Sequence, residues 1–210
     1  MLVIAGPSAV GKTTVSDEIL RQNSKFTLIR SATTRAPRGD GHDGEYLYLS
    51  DEDFRHEIAS GGMLEYAEYS GSLYGTPKSE LLRAEGEGKF PLLILELSGI
   101  SAVRSSEYSE GALCVYLYDS LDVLEARLHE RYVALDVPDG REKFEKRRAQ
   151  NIADYLTLFG RAEIFDLVLS NATPVEQTAR AILEAMDGKA STTDNNKTLL
   201  LLADMARKKL

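Results

Sequence analysis

Cysteine is nearly absent: the 210 residues contain one, Cys114. A single thiol excludes an internal disulfide framework and suits a reducing compartment. Cys114 stands inside the apolar run Leu113-Cys-Val-Tyr-Leu117, so a buried core thiol is expected rather than a nucleophile. Long apolar runs are missing too, and none approaches the ~18 residues of a membrane span. No charged n-region followed by an apolar h-region precedes the first apolar stretch, so the cytoplasm is the expected location. Positive charge is in deficit. With 25 Lys and Arg against 33 Asp and Glu, the net charge is −8 and the pI about 5.0. That balance speaks against non-specific binding to nucleic acid or an anionic membrane, so any anion site must be built locally. Histidine is scarce, and none of His42, His56 and His129 has metal-ligand spacing to another histidine or to the cysteine. No internal repeat is visible.

The length predicts one domain, or one domain with an inserted or appended segment, large enough to be stable without cross-links. Its most informative stretch is the first. Apolar Leu2 to Ala5 runs into Gly6-Pro-Ser-Ala-Val-Gly11-Lys12-Thr13, a match to G-x-x-x-x-G-K-[ST] at every fixed position. The glycines let successive backbone N–H groups turn inward around phosphate oxygens. Lys12 reaches the β/γ-phosphates, and the Thr13 hydroxyl suits Mg²⁺. Residues 13–22 place Val15, Ile19 and Leu20 at helical spacing, so the loop has the strand before it and the helix after it that such a site requires.

Further along, residues 25–31 read as a strand opening onto a long loop rich in glycine, proline and charge. Residues 45–49 read as a strand. Ser50 with Asp53 makes a capping box for a helix to about residue 60, and Gly61-Gly62 stops it. Residues 64–69 and 72–74 form a hairpin. Thr76 then caps, and Pro77 opens, a helix that ends at Gly86 and Gly88. The apolar runs 90–97 and 112–118 are expected as strands buried on both faces of a parallel sheet, with a short helix over 99–105 between them. A helix over 121–131, a loop over 132–140, a long charged helix over 141–159 and a strand over 166–169 follow. A last helix to about residue 186 is expected to be capped by Thr173-Pro174 with Glu176. Strands alternating with helices, interrupted by a hairpin-rich excursion, predict an α/β protein with a parallel sheet and an inserted lobe. Residues 188–210 are a polar linker and a tail or short helix.

Ser31, Thr33, Thr34, Arg35, Arg38 and Asp40 share the loop after the second strand, where ligands bind beyond the carboxyl ends of parallel strands. Two arginines three residues apart there suit a phosphate clamp, and solvated surface arginines are the alternative.

GPSAVGKTT, SATTRAPR, EYLYL and MLEYAEYSGSLYGTP, in this order, together resemble the guanylate kinase family over about residues 2 to 187. The resemblance implies a three-layer P-loop NTPase fold with a parallel core sheet (residues 1–31, 77–127 and 148–187). An inserted mixed α/β GMP-binding lobe would span 32–76 and a helical lid 128–147. It implies Mg²⁺-dependent transfer of the γ-phosphoryl of ATP to GMP, or to dGMP, with no nucleic acid or membrane partner and the oligomeric state open. Gly6, Pro7, Ser8, Ala9, Val10, Gly11, Lys12, Thr13, Thr14, Arg127 and Asn171 would bind ATP, Asn171 at the adenine, with Thr13 on the metal. Lys12, Arg131 and Arg147 would be catalytic, with Arg148 as the rival of Arg147. Arg35, Arg38, Tyr46 and Tyr74 would hold the GMP phosphate, joined by Asp40. Ser31, Glu65 and Thr76 would read guanine, whose adjacent N1–H and N2–H₂ donors suit a carboxylate. Glu96 and Ser98 complete the acceptor set.

Three places depart from the family pattern. Ser98 stands where the second acid of D-I-D-x-Q-G is usual, the loop from Arg38 to Tyr46 is one residue shorter, and the lid reads Arg131-Tyr-Val-Ala-Leu-Asp in place of Arg-Gly-Thr. Two other readings are a non-catalytic module that binds a peptide in the acceptor cleft, and a kinase for a different phosphorylated acceptor.

Overall fold

The computed structural model describes residues 1–37, 44, 46–69, 71–158, 160–189 and 194–210. Arg38, Asp40 and His42 lie outside the described residues. In chain order the elements are β1 (Leu2–Ala5), α1 (Lys12–Gln22), β2 (Phe26–Leu28), β3 (Ser31–Thr33), β4 (Tyr46–Tyr48), α2 (Asp51–Ala59), β5 (Met63–Tyr69), β6 (Ser72–Pro77), α3 (Lys78–Gly86), β7 (Phe90–Ile94), α4 (Leu97–Arg104), β8 (Leu113–Tyr118), α5 (Leu121–His129), α6 (Gly140–Thr157), β9 (Leu167–Ser170), α7 (Val175–Met186) and α8 (Asn195–Arg207). The fold is α/β. One sheet has the order β2-β7-β1-β8-β9, and a second, mixed sheet has the order β4-β3-β6-β5. No helix among the described residues is long and apolar enough to cross a membrane.

The chain divides into two compact units. The first comprises Met1–Leu2 and Leu20–Ala112. In it β2 and β7 pair in parallel, Phe26 opposite Phe90 and Leu28 opposite Leu92. The stretch expected as one strand over 25–31 is instead two, because Ser31–Thr33 leaves β2 to pair in parallel with β4 and antiparallel with β6. The mixed sheet buries Ala32, Phe54, Met63 and Leu73, with Leu47, Leu49 and Ile58 packed against them. Ser50 caps α2: its hydroxyl accepts from the Asp53 N–H at 3.0 Å and donates to the Asp53 carboxylate at 2.6 Å. The hairpin is formed too, and extends to Pro77.

Thr76 is not the cap of α3. It is a buried strand residue whose hydroxyl points across the sheet, and Pro77 precedes the helix with no side-chain cap. The apolar run from residue 90 ends as a strand at Ile94, and Leu97 already belongs to α4. Buried Glu80 accepts from Arg30 at 2.8 and 3.1 Å and from Arg83 at 3.1 and 3.2 Å. This ties α3 to the residues between β2 and β3.

The second unit comprises Val3–Ile19 and Leu113–Leu210. β8 and β9 pair in parallel, Val115 opposite Leu167, and Cys114 is buried as expected. The segment after α5 is not simply a loop: Glu130–Ala134 forms a π-helical turn. Nor does Thr173 cap α7, since its hydroxyl meets that of Thr178 at 3.1 Å and Pro174 precedes the helix without a side-chain cap. The C-terminal segment forms α8, which lies along α6 and buries Leu199, Leu202, Ala203 and Ala206. Asn195 fastens its start by accepting from the Val168 N–H and donating to the Phe165 carbonyl. Lys209 fastens its end on Asp122 at 2.6 Å and Glu125 at 3.4 Å.

Candidate functional site

In the second unit, the fully buried strand β1 delivers the chain into the loop Gly6 to Gly11, which α1 continues. Two glycines are required by close approach. A Cβ on Gly6 would stand 2.5 Å from the Leu117 carbonyl oxygen, and one on Gly11 2.7 Å from Asn171 Nδ2. Ala9 takes a left-handed conformation, φ 67°, which is uncommon for a residue with a side chain. Lys12 folds its ammonium back onto the carbonyls of Gly6 at 2.6 Å and Pro7 at 3.2 Å. Thr13 and Thr14 are exposed on the first turn of α1.

Three successive residues of the loop are held by side chains from elsewhere in the unit. Asn151 brackets Ser8, accepting from its N–H at 2.8 Å and donating to its carbonyl at 3.1 Å. Arg127 donates to the Ala9 carbonyl at 3.3 Å and pairs with buried Asp119 at 3.2 Å. Asn171 donates to the Val10 carbonyl at 2.7 Å. Its Oδ1 is buried and has no hydrogen-bond partner among the described residues.

Beside the loop lies a cavity of about 560 Å³ bounded by Gly11, Thr14, Arg127, Arg131, Leu135 and Asn171, among others. Arg131 stands on the π-helical turn and is exposed. Arg147 donates to the Ser8 hydroxyl at 3.2 Å, whereas its neighbour Arg148 is turned to Glu125 at 3.0 Å. The departure from Arg-Gly-Thr thus has a structural form. The turn closes against Gly140, where a Cβ would collide with the Tyr132 carbonyl oxygen.

The acceptor residues expected from the sequence lie in the first unit. Arg35 sits over the rings of Tyr46 at 5.3 Å and Tyr48 at 5.9 Å, and the Tyr46 ring meets Tyr74 edge-on at 6.5 Å. The sheet makes this cluster, because Thr33 pairs with Tyr48 on one side and Tyr74 on the other. On the neighbouring strands Glu65 stands opposite Thr76, and the Thr76 hydroxyl donates to Glu65 Oε1 at 2.7 Å. Burial pushes the Glu65 carboxyl above the ordinary range; the Thr76 hydrogen bond opposes this, and the charge of Glu96 adds to it. Gly75 is needed between Tyr74 and Thr76, since a Cβ there would be 2.6 Å from the Glu65 carbonyl oxygen. Ser31 is half-buried on β3, and Glu96 and Ser98 are exposed at the start of α4.

Tyr48, Asp119 and Asn151 were not singled out by the sequence. Tyr48 had a signal, the alternation in Tyr46-Leu-Tyr48 that points both rings to one face. Asn151 had none, being one polar residue on a charged helix 143 residues from its partner. Among the described residues no three His, Cys, Asp or Glu side chains group to hold a metal. The exposed Thr13 hydroxyl, a hard oxygen beside Lys12, fits an ion such as Mg²⁺ that takes most of its ligands from phosphate and water.

Comparison with known proteins identifies the family. The family model described as guanylate kinase matches residues 1–189. A guanylate kinase of a Synechococcus species is 37% identical over 172 residues, 81% of this chain and 88% of that one. That of Streptomyces coelicolor is 38% identical over 184 residues, 87% and 88% of the two chains. That of Sus scrofa is 30% identical over 190 residues, 88% and 90% of the two chains. The crystal structure of guanylate kinase from Anaplasma phagocytophilum shares the fold, with a TM-score of 0.61 at 22% identity over 92% of this chain and 87% of that one. A loop of phosphate-binding pattern clamped at three residues, an arginine-lined cavity beside it, an Arg35–tyrosine cluster and a half-buried Glu65 bonded to buried Thr76 thus occur in a chain that belongs to the guanylate kinase family.

Proposed function

We propose that this chain is a guanylate kinase that transfers the γ-phosphoryl group of ATP to GMP, giving GDP and ADP. The observation that carries the acceptor assignment is the Glu65–Thr76 pair. With the Thr76 hydroxyl committed to Oε1, the carboxylate is oriented and its other lone pairs are left for the N1–H and N2–H₂ donors of guanine. Adenine has no such adjacent donors and would leave a half-buried carboxylate unpaired, a mismatch that discriminates strongly. Ser31 supplies a hydroxyl for guanine O6. The Arg35 guanidinium, laid against two tyrosine rings, offers forked donors to the GMP phosphate, and the ring stacking limits its freedom before the ligand arrives.

On the donor side the loop amides and Lys12 hold the ATP phosphates. Lys12 exchanges the Gly6 and Pro7 carbonyls for phosphate oxygens. Asn171, which borders the cavity beside the loop, would meet the adenine of ATP. Arg131 on the lid turn and Arg147 on α6 neutralise charge on the transferring phosphoryl group, which needs positioning and electrostatic stabilisation more than covalent help. Thr13 would hold Mg²⁺, which when bound neutralises phosphate charge and orients the oxygens. Closure of the lobe and lid would exclude water that otherwise hydrolyses ATP.

The test is ADP formation in the presence of ATP and Mg²⁺ with GMP, dGMP, AMP, UMP or CMP offered separately. Turnover with GMP, and far less with AMP, is expected. Absence of turnover with GMP overturns the assignment.

A further inference from the structure

We propose that Asn151 is a positioning residue of the donor site, one that sets the shape of the phosphate loop without touching the nucleotide. Its amide makes two bonds to one residue, accepting from the Ser8 N–H at 2.8 Å and donating to the Ser8 carbonyl at 3.1 Å. This engages both backbone groups of Ser8 and keeps its peptides from rotating. Asn151 is 2% exposed, so it competes little with water for these bonds, and the reciprocal pairing fixes which end of its amide is oxygen.

What the clamp holds is an unfavourable backbone. Ala9, the next residue, is left-handed at φ 67°, a conformation a side-chain-bearing residue keeps only when its surroundings determine it. Pro7, with its ring-fixed φ, precedes the clamped Ser8, and the Ala9 carbonyl is met by Arg127 at 3.3 Å. The left-handed turn is therefore gripped before and behind. On α6, Asn151 lies one turn beyond Arg147, on the same face, and Arg147 donates to the hydroxyl of the same Ser8. When Arg147 leaves that hydroxyl for a phosphate, Asn151 keeps the loop in register. The Asn151–Ser8 contact is thus the fixed point about which the α6 arginine works. The proposal rests on the donor-site reading given above.

The test is ATP binding by calorimetry without acceptor, together with KM for ATP and for GMP, in Asn151→Ala, in the near-isosteric Asn151→Asp, and in Asn151→Ala combined with Ala9→Gly. Asn151→Ala is expected to weaken ATP about tenfold or more, as loss of a supporting residue behind a ligand site does. KM for GMP should stay within about twofold, a split that general destabilisation would not produce. Asn151→Asp keeps the acceptor but sets an oxygen against the Ser8 carbonyl, and should show the same ATP-selective loss in a folded protein. Ala9→Gly removes the cost of the left-handed turn and should restore part of the ATP affinity lost in Asn151→Ala. Unchanged ATP affinity in both single variants, equal weakening toward ATP and GMP, or no recovery with Ala9→Gly would each overturn the proposal. A wild type that binds ATP but does not phosphorylate GMP overturns the acceptor assignment alone, because calorimetry with ATP still reads the clamp.

Discussion

Arg147 and Arg148 are adjacent in sequence and opposite in role: the first donates to the Ser8 hydroxyl of the phosphate loop at 3.2 Å, the second to Glu125 of α5 at 3.0 Å. One step along a helix turns a side chain by about 100°, so neighbours cannot share a face. Arg147→Ala is therefore expected to lower kcat by about 10² or more, the usual scale for loss of a charge-stabilising group. Arg148→Ala should leave kcat within a few-fold and cost about 1 kcal/mol or less, as partly exposed ion pairs do. Steady-state kinetics and thermal melts of the two variants check this, and equal losses of kcat would refute it.

In the acceptor site proposed above, base discrimination turns on Glu65. Replacing it with alanine should reduce the preference for GMP over AMP by about 10² or more, because the partner of two guanine donors is lost. Its carboxyl is pushed up, first by burial and then by the charge of Glu96. As pH falls it takes up a proton earlier than an ordinary glutamate, and the protonated group no longer accepts two hydrogen bonds. KM for GMP should accordingly rise on acidification while KM for ATP holds. Parallel profiles for the two substrates would remove Glu65 from this role.

Glu80 responds to acid in the opposite sense. Burial alone would raise its carboxyl, but the hydrogen bonds from Arg30 and Arg83 win and hold it at about 2, against an ordinary 4.5. The ionised form is therefore favoured by folding. Its stabilisation is complete above about pH 4.5 and is lost as pH falls toward 2, on the order of 2 to 3 kcal/mol after allowing for the partly exposed arginines. Glu80→Gln should flatten the fall in unfolding free energy over this window, and an unchanged slope in urea melts would show that other carboxyls govern it.

α8 is integral to the second unit. Leu202 is fully buried where α8 lies along α6, whereas Leu201 is 55% exposed. Leu202→Ala should cost about 2 to 5 kcal/mol and Leu201→Ala less than about 0.5. In a protein of this size the first corresponds to a fall in melting temperature of roughly 5 to 15 °C. Equal melting temperatures for the two variants would mean that α8 does not pack in solution.

Features written within a few consecutive residues are legible in the sequence alone. The phosphate loop is one contiguous motif, the Ser50–Asp53 cap is closed by a bond spanning three residues, and the β5–β6 hairpin needs only its turn. The proposed acceptor residues become legible only through the family resemblance, since Glu65 by itself is one carboxylate on a strand. Where local chemistry misleads, a tertiary partner has taken the group. Thr76 has the residue type of a helix cap, yet its hydroxyl is claimed by Glu65 on the adjacent strand. The stretch after Lys25 has the composition of one strand, yet Ser31 to Thr33 finds better pairing in the other sheet.

The sequence by itself therefore determined the class of fold and the phosphate-loop pattern with Lys12 at its lysine position, because these depend on spacing along a short stretch and on the alternation of strands and helices. Only the tertiary structure decided which of two adjacent arginines meets the loop, that Thr76 orients Glu65, and that Asn151 grips Ser8 across 143 positions. Such contacts follow from how helices and strands pack, and a side chain on a helix carries no mark of the partner it will bury itself against.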